Sequence, residues 1–278
     1  MRVHPTAYIH PDATVHPSCK IGPNAVIDGP VRIGANCQLG PSVVIMGHTE
    51  IAADCSIHSH AVIGDKPQDK KYNGELSFCR IGERCVIRES VTIHRASVEL
   101  ATTKIGNGCY LMTNSHVAHD CHLEDEVTLV SGALLGGHVH VGSNAVISGN
   151  VGVHQHVRIG QLAMIGGVSM ISQDVPPFTM TDHQGEIIGL NAVGLALKGI
   201  SPAEQQELKA LFKVICRSGM PQRRSLELAA ELANTELGRH FVDFFQAETR
   251  RGFCRFRGRN SRLQQSILTP LKQQSICK

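Results

Sequence analysis

The chain of 278 residues contains no tryptophan, and aromatic residues make up only 4% of it. Aromatic side chains are the largest groups with which a protein fills the space between packed sheets. Their scarcity, beside abundant isoleucine, valine, glycine, alanine and serine, favours a narrow core of small coils over a broad sandwich. The apolar content of 42% and the charged content of 18% are ordinary for a globular protein.

Long hydrophobic runs are also missing. No stretch approaches the roughly 18 apolar residues of a membrane-spanning helix. The start, MRVHPTAYIHPD, lacks the apolar segment of a secretory signal. The ten cysteines are scattered in the chain, so we expect reduced thiols, mostly small core residues, in a cytoplasmic protein.

What the sequence does contain is a period of six. An aliphatic residue recurs in one phase from Val3 to Ile63, from Ile81 to Ile93 and from Ile105 to Ile171, and glycine often follows it. One aliphatic residue in six cannot support an amphipathic helix. A triangular coil explains the spacing, with three short strands and about nine coils of 18 residues. The pattern resembles known left-handed parallel β-helices, and that resemblance alone indicates the hand.

The period is interrupted twice. Charged residues stand at the in-phase positions Asp69, Glu75 and Glu99, where a narrow prism could not bury them. We therefore expect the segments 64–79 and 94–104 to leave the β-helix as loops. Loops that project from a rigid scaffold often carry function, although each could be a tolerated insertion.

The repeat ends near Pro176 and Pro177, which predicts a β-helix domain over 1–178 and an irregular linker over 179–200. Ser201 and Glu204 form a capping-box pattern that opens a small all-α domain, 201–252, with further helices near 224–236 and 238–249. The remainder, 253–278, is predicted to be a tail.

Positive charge is concentrated at the end of the chain. From Thr249 to Lys278 there are eight basic residues and no acidic one. This segment is either a solvated, partly disordered tail or a patch for an acidic partner, namely an acyl carrier protein or an anionic membrane surface. We expect no nucleic-acid partner.

Histidines are the main candidates for chemistry. His116 and His119 flank the inward Val117, and His138 and His154 follow at intervals of about one coil, which would align them along one edge of the prism. A histidine is a suitable general base for a hydroxyl proton. Three histidines from neighbouring coils or subunits could equally hold zinc.

Several segments together resemble the UDP-N-acetylglucosamine 3-O-acyltransferase family, from about residue 3 to residue 252. They are QDKKYNGE (68–75), IRESVTIHR (87–95), NSHVAHDC (114–121), GGHV (136–139), VHQ (153–155) and QDVPP (173–177). The resemblance implies a homotrimer with active sites between neighbouring prisms. A fatty acyl group, usually 3-hydroxylated, would move from the phosphopantetheine thioester of acyl carrier protein to a nucleotide-sugar hydroxyl, as the first step of lipid A synthesis. No metal and no cofactor beyond that thioester co-substrate are implied.

The resemblance also implies roles for individual residues. His119 matches the catalytic base, which Asp120 could orient, and Gly137 matches the backbone amide that stabilises an oxyanion. Gly167 matches a position where residue size limits acyl length, so that glycine leaves room for a longer chain. The remaining matches are substrate contacts: Asp69, Lys71, His116, His138, His154, Gln155, Asn191 and Lys198.

Two positions depart from the family. Val193 stands where the family has glutamate, and Leu197 where it has arginine; both help to hold the nucleotide. Transfer to a different nucleotide-sugar acceptor therefore stays open. So do a weakened enzyme or a paralogue with another role, a metal-dependent hexapeptide enzyme of the carbonic anhydrase type and a non-catalytic β-helix scaffold.

Overall fold

A computed structural model describes residues 2–257 of the protein, and the rest of the predicted basic tail, 258–278, lies outside that range. The period of six determines the architecture. Each in-phase aliphatic residue lies in a strand of two to four residues, and its side chain points into a triangular prism. The predicted left-handed parallel β-helix with a small helical C-terminal region is confirmed.

The strands stack into three faces, each ordered from the N-terminal to the C-terminal end of the prism. The first face contains Arg2–Val3, Lys20–Ile21, Gln38–Leu39, Ser56–Ile57, Val86–Ile87, Tyr110–Leu111, Thr128–Leu129, Val146–Ile147, Met164–Ile165, Thr179–Thr181 and Ile187–Leu190. The second face contains Tyr8–Ile9, Val26–Asp28, Val44–Met46, Val62–Asp65, Thr92–His94, His116–Val117, Leu134–Leu135, Gly152–Val153 and Met170–Ile171. The third face contains Thr14–Val15, Arg32–Ile33, His48–Ile51, Phe78–Ile81, Thr102–Ile105, His122–Leu123, His140–Val141 and Arg158–Ile159.

The core is a narrow column of aliphatic side chains, flanked by small residues that precede each strand. The in-phase residues from Ile21 onward are at most 4% exposed. Cys19, Cys37, Cys55, Cys85 and Cys109 stack between successive coils of the first face, and the nine described cysteines are all free. Burial raises the pKa of thiols such as Cys121, to about 12, so they stay protonated at neutral pH.

Both interruptions of the period project from the same corner of the prism. In the first, the ladder connects Ile51 directly to Ile81, and in the second it connects Ile81 to Ile105, so the extra residues lie outside the stack. The irregular segments are 66–77 and 95–101. They are shorter than the predicted loops 64–79 and 94–104 because the ends of those loops pair in the third and second faces.

The segment 179–200, predicted to be an irregular linker, is more regular than expected. Thr179–Thr181 continues the first face and pairs in antiparallel fashion with Ile187–Leu190. A short helix, α1, follows at Ala192–Leu197. Pro176 and Pro177 end the repeat of six, yet they do not end the sheet, because strand pairing resumes two residues later.

Three helices form the C-terminal region: α2 at Pro202–Arg217, α3 at Gln222–Leu232 and α4 at Glu236–Gln246. Ser201 and Glu204 form the predicted capping box at the start of α2. Helix α4 begins two residues before its predicted start because the Thr235 side chain accepts a hydrogen bond from the Gly238 N–H. None of the described helices is both long enough and apolar enough to cross a membrane.

The chain then returns to the prism. Phe253 bridges to Asp174 and Phe256 bridges to Ile187, and the backbone N–H of Cys254 donates to the Asp174 carbonyl oxygen at 2.9 Å. Residues 253–257 therefore belong to the folded unit, whereas the sequence predicted a tail from residue 253 onward.

Candidate active site

One edge of the prism collects most of the predicted site residues. It is the corner between the second and third faces, which the chain crosses at 118–121, at 136–139 and at 154–157. Both irregular segments leave the prism at this same corner, in the two preceding coils. Coil stacking therefore places the two loops and the histidine motifs at one corner, although these segments are separated in the sequence.

His119 and Asp120 form a largely buried pair at this corner. The Nδ1 atom of His119 lies 2.7 Å from Oδ2 of Asp120, and the side chains are 12% and 8% exposed. The same Asp120 oxygen accepts hydrogen bonds from the Ser97 hydroxyl at 2.6 Å and the Ser97 N–H at 3.1 Å. An Nδ1–H that donates to a carboxylate leaves the Nε2 lone pair free, which is the arrangement a general base requires.

Asp120 remains charged although it is buried. Burial alone would raise the pKa of its carboxyl group, but hydrogen bonds from His119 and Ser97 and the charge of His138 outweigh burial and hold the pKa at about 2. The position of the carboxylate is further fixed by its own backbone N–H, which donates to the Thr103 hydroxyl at 2.8 Å. His119, Ser97 and Thr103 thus fix the position of an anionic Asp120.

Gly137 lies against the free edge of the His119 ring. A Cβ atom at this position would be 2.7 Å from Nε2 and 2.6 Å from Cε1 of His119. Within residues 2–257 the Gly137 N–H makes no hydrogen bond, while its carbonyl accepts one from the His156 N–H at 3.0 Å. A free backbone donor and a candidate base therefore border the same small space.

Further imidazoles surround this pair. His138 contacts the His119 ring edge to face, with centroids 5.3 Å apart, and His156 stacks on His138 at 4.5 Å. His116 lies on the second face, where its Nδ1 is 2.7 Å from the Thr92 hydroxyl oxygen. Burial lowers the pKa of His116 to about 4, so this ring is neutral at neutral pH and can donate or accept a hydrogen bond from a ligand.

The first irregular segment reaches the same place. Burial lowers the pKa of His138, whereas the negative charges of Asp120 and Asp69 act to raise it, which puts Asp69 within electrostatic range of that ring. The Asp69 carboxylate accepts the Lys71 N–H at 2.9 Å, so this pair forms a local turn with an exposed lysine. Arg95 holds the segment to the prism through the Tyr72 hydroxyl at 3.2 Å.

His154 does not stack on His138, although the two were predicted to align. The 18-residue period of the coil places His156, not His154, in register with His138. The His154 ring instead contacts the guanidinium of Arg251, which also donates to the Gln155 carbonyl at 2.9 Å.

Comparison with known proteins supplies the family. A sequence model described as UDP N-acetylglucosamine O-acyltransferase, domain 2, matches residues 174–254, a bacterial transferase hexapeptide model matches 102–137, and a GMPPB C-terminal domain model matches 3–100. An acyl-[acyl-carrier-protein]–UDP-N-acetylglucosamine O-acyltransferase of Gloeothece citriformis is 46% identical over 225 residues, 81% of this chain and 75% of the relative. The enzyme of the same name from Synechocystis is 45% identical over 67% of this chain and 68% of the relative. The chain belongs to the UDP-N-acetylglucosamine O-acyltransferase family.

Solved structures agree with this family. The Francisella novicida UDP-N-acetylglucosamine acyltransferase superposes with a TM-score of 0.88 and 34% identity, over 93% of this chain and 96% of the other. The Moraxella catarrhalis UDP-N-acetylglucosamine O-acyltransferase gives 0.88 and 35%, over 92% and 100%. The similarity includes the helical C-terminal region as well as the β-helix.

Three residues predicted from the family resemblance, Gly167, Asn191 and Lys198, lie away from the histidine edge. Gly167 is at the corner between the first and second faces, and its nearest neighbours, the Gly149 carbonyl oxygen and the Ser148 Cβ, would be 3.5 and 3.7 Å from an added Cβ. Asn191 is 7% exposed and uses its side chain inside the chain, capping α1 at Gly194 and donating to the Leu162 carbonyl at 2.9 Å. Lys198 is exposed at the end of α1.

The two departures from the family pattern both lie on the surface of α1. Val193 is 70% exposed and Leu197 is 81% exposed. Residues four apart on a helix lie on one face, so the two apolar side chains form a single exposed patch. Neither can contribute a charge or a hydrogen bond to a nucleotide.

The described residues contain one group that could hold a metal ion, His119, Asp120 and His138, whose candidate ligand atoms lie within 4.8 Å of one another. It offers two imidazoles and a carboxylate, whereas the carbonic anhydrase type requires three imidazoles. The Asp120 oxygen nearest the rings already accepts three hydrogen bonds. This donor set fits an imidazole–carboxylate pair better than a metal centre.

Four residues that contact the predicted site were not predicted from the sequence: Ser97, Thr103, His156 and Arg251. Ser97 and Thr103 were not predicted to bind Asp120, because these contacts depend on the path of the second irregular segment. No local sequence pattern indicates that path. His156 could have been found, since it lies one period of 18 after His138. Arg251 was assigned to the helical domain and to a general basic patch, and only the fold brings it to His154.

Proposed function

We propose that this protein transfers an acyl group, usually 3-hydroxylated, from acyl carrier protein to the 3-hydroxyl of UDP-N-acetylglucosamine, the first step of lipid A biosynthesis. The observation that carries this proposal is the His119–Asp120 pair packed against Gly137, whose backbone N–H donates no hydrogen bond within residues 2–257. Acyl transfer to an alcohol needs a general base and a hydrogen-bond donor for the oxyanion, both beside the reacting atoms. The family of the chain supports the choice of donor and acceptor.

The reaction follows from this geometry. Nε2 of His119 removes the proton of the sugar hydroxyl while its oxygen attacks the thioester carbonyl carbon. The carbonyl oxygen becomes an oxyanion, which accepts the hydrogen bond of the Gly137 N–H. When the tetrahedral intermediate collapses, the C–S bond breaks and the proton on His119 passes to the departing thiolate. The phosphopantetheine thioester is the co-substrate, and no other cofactor takes part.

The other residues of the edge position the substrates. We assign Asp69, Lys71 and His138 to the sugar side of the space, because the first loop leaves the prism at the same corner and the His138 ring contacts His119. His116, with a neutral ring, donates or accepts a hydrogen bond there. A second group of residues is assigned to more distant parts of the two substrates: His154, Gln155, Gly167, Asn191 and Lys198.

Acyl transfer can be tested directly with acyl carrier proteins of different chain lengths and with several nucleotide sugars. Replacing His119 with glutamine should lower kcat by about 10² to 10⁴-fold. His122→Gln, on the outer surface of the third face, is the matched control and should act like wild type. Equal rates for wild type and His119→Gln would contradict the mechanism. Activity with another nucleotide sugar alone would assign the acceptor change to Val193 and Leu197.

A metal-dependent reaction of the carbonic anhydrase type is the second candidate, and the group of His119, Asp120 and His138 is the observation that keeps it testable. Exhaustive treatment with a chelator should leave acyl transfer unchanged, because the proposed steps use a proton acceptor and a backbone donor. Loss of activity that returns with zinc would favour the metal enzyme. The free thiols of the core support the cytoplasm as the compartment in which we place the reaction.

We further propose that the active unit is a homotrimer, with the first and second faces at its interfaces. Outward side chains of the third face are mostly charged, including Arg32, Arg80 and Lys104. Those of the second face are mostly apolar, and Leu134 and Met170 are 51% and 67% exposed. An apolar face of this extent is what a subunit interface of a homo-oligomer covers.

Light scattering of the purified protein tests the trimer. Leu134→Glu should shift the mass from three chains towards one and abolish acyl transfer, because an isolated charge would be buried at the interface. Arg80→Glu, on the charged third face, should leave the mass unchanged. A monomeric wild type with full activity would contradict this assignment.

A further inference from the structure

The segment that follows helix α4 supplies two arginines to the histidine edge. Gly252 accepts a hydrogen bond from the Asp174 N–H at 2.8 Å, and the Thr249 hydroxyl accepts the N–H groups of Arg251 at 3.2 Å and Gly252 at 2.9 Å. With the bridge between Asp174 and Phe253, these bonds fix the backbone of the segment beside residues 154–156. The position of Arg250 and Arg251 is therefore determined by the fold.

Neither guanidinium is neutralised by the protein. Arg251 donates to the Gln155 carbonyl at 2.9 Å and contacts the His154 ring, and Arg250 lies 3.5 Å from Nδ1 of His156. In the part of the chain that the structure describes, no carboxylate oxygen lies within 4.0 Å of either one. Arg158, close by, differs because it pairs with Asp174 at 2.8 Å.

A cavity of about 220 Å³ adjoins these residues and is lined by His138, His156, Arg158, Glu248 and Arg250. Glu248 is the one carboxylate in the lining, and it forms no ion pair with Arg250. Burial, then the neighbouring ring of His138 and the two arginines, lowers the pKa of His156, as expected for a ring beside cations that lack a counterion. His138, which lines the cavity, also contacts His119, so one imidazole ring lies between the cavity and the proposed catalytic base.

We propose that Arg250 and Arg251, with His156, form a phosphate-binding subsite that His138 connects to His119. A planar guanidinium presents paired N–H donors that match two oxygens of a phosphate, and two unpaired guanidiniums favour a doubly charged group. The proposal rests on the proposed function, because both substrates of that reaction carry phosphate. One source is the diphosphate of the nucleotide sugar, and the other is the phosphodiester of the pantetheine arm.

Direct binding separates the two sources. Wild type is titrated by calorimetry with UDP and, separately, with 4′-phosphopantetheine, and the titrations are repeated with Arg250→Gln, Arg251→Gln and the double variant. Each single variant should weaken one of the two ligands by about 10- to 100-fold, as expected for loss of a charge-assisted hydrogen bond. Weaker UDP binding identifies the nucleotide diphosphate, and weaker 4′-phosphopantetheine binding identifies the carrier arm.

Arg223→Gln, an arginine on α3 with a side chain that is 93% exposed, is the matched control for the loss of one charge and should bind both ligands like wild type. Arg251→Lys keeps the charge but loses the planar fork and should be intermediate. If Arg251→Gln fails to fold because it loses its bond to Gln155, the Arg250→Gln variant alone still tests the subsite, since within residues 2–257 the only polar contact of the Arg250 side chain is the His156 ring.

Unchanged binding of both ligands in the folded double variant would overturn the subsite. That result can be distinguished from failure of the proposed function. A wild type that transfers no acyl group to any nucleotide sugar contradicts the function, whereas a double variant that binds both ligands normally but still transfers acyl groups contradicts the subsite alone.

Discussion

His119 and Asp120 are neighbours in the chain, and yet Nδ1 of the histidine lies 2.7 Å from Oδ2 of the aspartate. Successive side chains of a strand point to opposite faces, so this contact requires a break in extended geometry. The break is the corner of the coil, where Asp120 has a φ of 58° in the left-handed region. The same turn occurs at most corners of the prism, but here it joins a base to its carboxylate.

Asp120→Asn should reduce kcat by about 10²-fold or more with little change in KM. The amide keeps the shape of the side chain but cannot stabilise the imidazolium that forms when His119 takes the proton. Steady-state kinetics with both substrates measures the two constants. Asp54→Asn is the control, because Asp54 occupies an equivalent left-handed corner, with a φ of 62°. A rate near that of wild type would show that the carboxylate is not used.

Ser97→Ala should lower kcat by about 10-fold, because it removes one of two Ser97 hydrogen bonds to a buried carboxylate. The Ser97 N–H remains, so the effect should be smaller than that of Asp120→Asn. Ser97→Thr retains the hydroxyl and should restore most of the rate, which a loss of packing alone would not predict. A change confined to KM would argue against this positioning role.

Gly137→Ala should abolish most acyl transfer while the protein stays folded. The added Cβ would lie 2.7 Å from Nε2 of His119, so the ring must turn away and lose its bond to Asp120. Circular dichroism and the melting temperature report folding, and the transfer assay reports activity. Gly189→Ala is the matched control, because an added Cβ there has no atom within 4 Å. Full activity of Gly137→Ala would exclude the close approach.

Acid should destabilise the fold through His116. Burial lowers its pKa from 6.5 to about 4, so between those values the unfolded chain binds a proton that the folded chain does not. The free energy of unfolding therefore falls as pH drops from 6.5 to 4, by at most about 3 kcal/mol from this group. Urea unfolding at pH 7.5 and pH 4.5, at one protein concentration, measures the difference.

Two variants separate titration from packing in that experiment. His116→Gln should reduce the loss of stability between the two pH values. Thr92→Val removes the hydrogen bond to the same ring but no titrating group, so it should destabilise the protein at both pH values alike. An unchanged pH dependence in His116→Gln would contradict the assignment.

The sequence by itself determined the β-helix, both exits from it and the start of helix α2. Each of these features depends on interactions within a few residues. Ile81 points into the core because it is apolar, and Glu99 leaves the repeat because a charged side chain cannot be buried there. Ser201 caps helix α2 with Glu204, three residues further along the chain. A regular coil also makes stacking predictable, because residues 18 apart meet wherever no loop intervenes, as His138 and His156 do.

Only the tertiary structure decided which polar groups meet. Ser97 binds Asp120 across 23 residues, and Arg251 contacts His154 across 97 residues. The length and path of the intervening chain determine whether such distant side chains come into contact. The Asn191 side chain likewise donates to the Leu162 carbonyl across 29 residues and caps α1 at Gly194, while its contact with substrate stays a prediction. Hydrophobic periodicity is local and can be seen in one dimension, whereas hydrogen bonds between distant segments depend on three-dimensional register.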